Sequence, residues 1–147
     1  MDQNSSSLPN VTVNGTTLIV ELATTNDAIK KGLSGRPMLA TDRGMLFIFP
    51  KPGLYRFWML DMRFPIDIIW INDGHVVSMN QNVGVAFDAV ASPRQSIFGW
   101  LLRRRRPIFY SPTSPAQYVL EVNAGFSAEH RIIPGNEITF QNIPSLS

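Results

Sequence analysis

Asp67 stands inside the run Ile66-Asp67-Ile68-Ile69-Trp70-Ile71, where an acid is chemically out of place. Three other acids share that character. Glu121 lies between Leu120 and Val122, Glu21 between Val20 and Leu22, and Asp61 ends the apolar stretch Phe57-Trp58-Met59-Leu60. A bare carboxylate among apolar neighbours is costly, so each requires a donor. Arg36, Arg56 and Arg63 are the expected donors, because a guanidinium grips a carboxylate with two parallel hydrogen bonds. Asp61, Asp67 and Glu121 are therefore expected to line a polar recess and form a candidate ligand-binding site, with Arg36 and Trp58 at its rim. Two neighbouring carboxylates in unlike surroundings do acid and base work, as in glycoside hydrolysis. Three can hold a hard cation. The same acids also serve as ion pairs and turn caps that fix strand register. Spacing leaves these readings open, and no metal, cofactor or catalytic residue is assigned.

Other chemistries have little support. The chain contains no cysteine, which removes thiolate metal sites and cysteine catalysis. Gly32-Leu33-Ser34-Gly35-Arg36 approaches G-x-S-x-G, but its fifth residue is Arg and it follows a helix instead of a strand. His75 and His130 lack metal-ligand spacing, and no phosphate-binding glycine loop is present.

The elements that must position these residues read as short strands. Residues 1–9 form a polar tail with no apolar core of a signal peptide. A single domain follows over residues 10–143, with an extended connection at about 84–109. Strands are predicted at Val11 to Val13 and Thr16 to Ala23 around Asn14-Gly15, a pair suited to a two-residue hairpin turn. A short helix follows over Thr25 to Leu33. Further strands are expected at Met45 to Phe49, Leu54 to Leu60, Ile66 to Ile71, His75 to Val83, Tyr118 to Val122 and Glu137 to Phe140. Pro50-Lys51-Pro52-Gly53 reads as a turn, and Ala124 to His130 as one or two helical turns. Phe57, Trp58, Trp70 and Tyr118 are expected mainly in the core. No strand–helix–strand rhythm is evident. The fold class is mainly β (α+β), a mostly antiparallel curled sheet or partly open barrel with one or two short helices.

Several motifs in order carry a family resemblance. GLSGR (Gly32 to Arg36) precedes GMLFIF (Gly44 to Phe49), FWMLDM (Phe57 to Met62) precedes FPIDIIWI (Phe64 to Ile71), and Tyr110-Ser111-Pro112 precedes YVLEVNAG (Tyr118 to Gly125). The chain resembles the bacterial and archaeal domain-of-unknown-function family 192 from about Thr17 to Phe140. The resemblance implies a compact β-rich domain, often exported or membrane-anchored, with no established activity. Leu60 departs from it, since the family usually carries Lys there.

Charge is unevenly placed. Of 13 basic residues, four are Arg103, Arg104, Arg105 and Arg106; without them 9 basic residues face 11 acidic ones. A near-neutral body does not suit nucleic acid, which needs a broad basic face. Phe98 and Trp100 precede the arginines, and this combination suits an anionic membrane surface or a protein partner. The expected function is a monomeric binding or accessory module for an unknown small ligand or protein, extracytoplasmic or membrane-associated. A carboxylate-dependent hydrolase and a module acting through residues 97–106 are the alternatives.

Overall fold

The computed structural model describes residues 8–84 and 108–145. The candidate contact residues Phe98, Trp100 and Arg103 to Arg106 lie outside the described residues, as do most of the tail and of the long connection.

Among the described residues nine strands and two short helices follow in chain order: β1 (Asn10–Val13), β2 (Thr16–Ala23), α1 (Asn26–Lys31), β3 (Arg43–Gly53), β4 (Phe57–Trp58), β5 (Ile66–Asn72), β6 (His75–Val83), β7 (Phe109–Tyr110), β8 (Ala116–Asn123), α2 (Phe126–Glu129) and β9 (Ile138–Gln141). Seven strands form one sheet in the order β6-β5-β8-β3-β2-β1-β9, and β4 and β7 form a separate ribbon. The large sheet curls into a half-barrel. Its two edges meet at one end, where His75 bridges to Glu137 and Ile138 N–H donates to Gly74 O at 2.8 Å.

Local chemistry accounts for the elements. Asn14 and Gly15 both adopt positive φ (49° and 77°), the geometry a two-residue hairpin turn requires. The Thr25 hydroxyl accepts the Ala28 N–H at 3.1 Å and caps α1, and Asp27 and Lys30 suit its dipole. Every interior residue of β5 is buried, as expected for a central strand covered on both faces. One face carries Val13, Val20, Leu46, Ile71 and Leu120 into the barrel; the other carries Phe47, Ile68, Trp70 and Val119 against α1 and the ribbon.

Three expectations need correction. β2 and β3 pair in parallel through α1, so a strand–helix–strand unit is present; the sheet is otherwise antiparallel. A short helix is expected there, but whether its flanking strands return in parallel leaves no mark in local periodicity. Pro50-Lys51-Pro52-Gly53 continues β3 beyond a register shift, because the exposed prolines sit where the ladder needs no donor. The predicted strand at Leu54 to Leu60 contracts to β4, and the exposed Trp58 on it is outside the core.

Candidate functional site

Alternation along strands assigns each acid to a face. Paired residues on neighbouring strands project to the same side. Glu21 pairs with Met45, Met45 with Glu121, and Glu121 with Ile68, so these four form one row across β2, β3, β8 and β5 on the outer face. Asp67 pairs with Val122 and projects to the opposite face, into the barrel. The expected triad of Asp61, Asp67 and Glu121 therefore does not form, and Asp67 and Glu121 cannot share a substrate or a cation. Asp61 is exposed on a loop, where its carbonyl accepts the Gly35 N–H at 2.9 Å. Trp58 lies on the β4–β7 ribbon, edge-on to Phe109 at 5.8 Å.

The partners also differ from expectation. The fully buried Asp67 is held by backbone groups: Oδ1 accepts Asn82 N–H at 2.9 Å and Oδ2 accepts Ser127 N–H at 2.9 Å. Asn82 has φ 51° in a bulge of β6, and Ser127 lies in the first turn of α2. One carboxylate thus pins the bulge and the helix start, satisfying donors that would otherwise be orphaned. Glu121 is buried beneath Gly32, and its Oε2 has no hydrogen-bond partner among the described residues. Burial pushes its pKa up from 4.5 to about 8, so the side chain is a neutral acid near pH 7. Among the described residues only Glu21 receives the arginine expected for these acids: Arg36 Nη1 donates to Glu21 Oε2, both side chains partly exposed.

A second feature lies beside this pair. A cleft of about 310 Å³ opens between β2 and residues 36–43. Ile19, Leu39, Ala40 and the 68% exposed Met38 give it apolar walls, and Arg36 with Glu21 and Arg43 supply its charge. The Asn123 side chain fixes the covering segment by donating to Leu39 O at 2.8 Å. Arg43 approaches the neighbouring Asp42 carboxylate no closer than 3.9 Å. Of the predicted site residues that are described, only Arg36 lines this cleft. Ile19, Met38 and Arg43 were not legible as a group, since parallel pairing of Ile19 with Arg43 brings them together. Among the described residues no three acidic or histidine side chains converge as a metal site, and no helix is long and apolar enough to cross a membrane.

The sequence pattern of the family DUF192, Uncharacterized ACR, matches residues 9–140. The chain belongs to this family. Two solved structures are similar to this DUF192 chain. A protein of unknown function from Novosphingobium aromaticivorans is 27% identical with a TM-score of 0.71, the match covering 88% of this chain and 83% of that one. A candidate transcription regulator from Sinorhizobium meliloti is 26% identical with a TM-score of 0.72, covering 94% and 98%. Comparison with curated proteins gave no match. DUF192 is thus a domain family of unknown function, and nothing in these findings indicates a hydrolase.

Proposed function

We propose that this DUF192 domain is a binding module whose cleft between β2 and residues 36–43 takes a small organic anion with an apolar body. The reading is supported chiefly by one arrangement: Arg43 and the Glu21-held Arg36 stand over walls made by Ile19, Met38 and Leu39. A guanidinium beside apolar surface suits a carboxylate on a hydrocarbon or aromatic frame, since each part of the ligand meets its complement. Exposed Met38 is a flexible, polarizable contact for such a frame. The cleft volume is near the low end of the roughly 300–1,000 Å³ usual for small-molecule sites, which favours a compact ligand.

Thermal melting of the full chain with a panel of aliphatic and aromatic carboxylates, beside neutral amides of matching shape, tests this reading. Carboxylates should raise the melting temperature by mass action, and Arg43→Ala should remove the effect. Equal shifts from the neutral amides, or no shift from any carboxylate, would show the cleft to be a surface groove.

A further inference from the structure

The segment from Leu54 to Leu60 has an inverted surface. Tyr55, Phe57 and Met59 pack against the outer core, while Leu54, Arg56, Trp58 and Leu60 alternate with them and are exposed. Exposure reaches 62% at Leu54 and 42% at Trp58. β7 extends the stripe, because Phe109 pairs with Trp58, and exposed Ile108 precedes it. The Arg56 guanidinium lies 4.3 Å from the centre of the Phe109 ring. Burying every second residue and leaving large apolar ones outward is the pattern of a face that meets something other than water.

We infer that this stripe, Leu54, Arg56, Trp58, Leu60, Ile108 and Phe109, docks the domain on an anionic lipid surface. The charges decide the occupant. Lys51, Arg56 and Arg63 are exposed along or beside the stripe against the single acid Asp61 within residues 51–63. Tryptophan and phenylalanine with basic neighbours match the boundary between headgroups and acyl chains, where rings are half immersed and cations meet phosphate. An acidic protein partner would meet the same cations, but the partly exposed rings of Trp58 and Phe109 set among them favour the lipid boundary. This surface is separate from the cleft beside β2, so its test is independent of the proposed ligand.

Co-sedimentation of the full chain with vesicles of phosphatidylglycerol and phosphatidylcholine, at low salt, is the primary test. Binding should exceed that to phosphatidylcholine alone and weaken as salt rises. Exposed positions tolerate change, so a Trp58→Ser, Leu60→Ser variant should stay folded by circular dichroism and bind at least about tenfold more weakly. Brominated lipid gives a second readout: in a Trp100→Phe background it should quench Trp58 but not buried Trp70. Absence of anionic-vesicle binding overturns the inference. So does parental binding by the double variant, unquenched Trp58, or a stripe-dependent dimer that forms without lipid.

Discussion

Asp67 and Ser127 are sixty positions apart, yet the carboxylate of one accepts the backbone N–H of the other at 2.9 Å inside the barrel. The second oxygen of Asp67 holds Asn82 in the bulge of β6. Asp67→Asn leaves only one acceptor oxygen, so one buried N–H must face an NH₂ group. The expected loss is about 1–3 kcal/mol in urea denaturation, and more for Asp67→Ala, which abandons both donors. A loss within about 0.5 kcal/mol, typical of surface changes, would contradict this role.

Trp58 and Trp70 should separate sharply on truncation. Trp70 is fully buried, and its indole N–H donates to Asn80 Oδ1 at 2.8 Å. Trp70→Ala should cost about 3–5 kcal/mol by combined cavity and transfer terms. Trp58 packs edge-on to Phe109 and is 42% exposed, so Trp58→Ala should cost less than about 1 kcal/mol. Similar losses would mean that the ribbon contributes to stability as a core element does.

Local chemistry made much of the fold legible. Asn14-Gly15 marked the first hairpin, Thr25 the start of α1, and the apolar run around Asp67 a strand. What stayed hidden depended on distant partners. Period-two alternation put Asp67 with Ile69 and Ile71, and that was correct. It could not reveal that Glu121, fifty-four positions further along the chain, faces the other side once β8 pairs with β5. The need for neutralisation was also legible, but its means were not. Three acids use three solutions: Glu21 an arginine, Asp67 two backbone donors, and Glu121 its own proton. Backbone donors are anonymous in sequence, and a desolvated acid is visible only when its surroundings are assembled.

Gly32 and Gly35 offer a test of how tightly the loop seals Glu121. Both have positive φ, 48° and 78°. A Cβ at Gly32 would meet Phe47 Cζ at 3.2 Å and Glu121 Oε2 at 3.9 Å, whereas one at Gly35 would meet nothing within 4 Å. Gly35→Ala should cost about 1–2 kcal/mol through backbone strain alone. Gly32→Ala should cost more, since Phe47 must also yield. Equal melting temperatures for the two variants would show that contact with Phe47 is immaterial.

Glu121 makes stability depend on pH in a predictable direction. Its folded pKa of about 8 exceeds the unfolded value of 4.5, so between these values the folded chain holds one proton more than the unfolded chain. Stability contributed by the neutral acid is therefore fully present below pH 4.5 and is lost as pH rises towards about 8, at about 1.4 kcal/mol per pH unit. Glu121→Gln keeps the shape and cannot ionise. Its buried amide adds a cost that does not vary with pH, so the informative quantity is the change in the difference between variant and parent. From about pH 5 to about pH 8 that difference should move in the variant's favour by roughly 3 kcal/mol, read by chemical denaturation at each pH. A difference that stays constant would place the Glu121 carboxyl in contact with water or a cation, and the buried neutral acid would have to be abandoned.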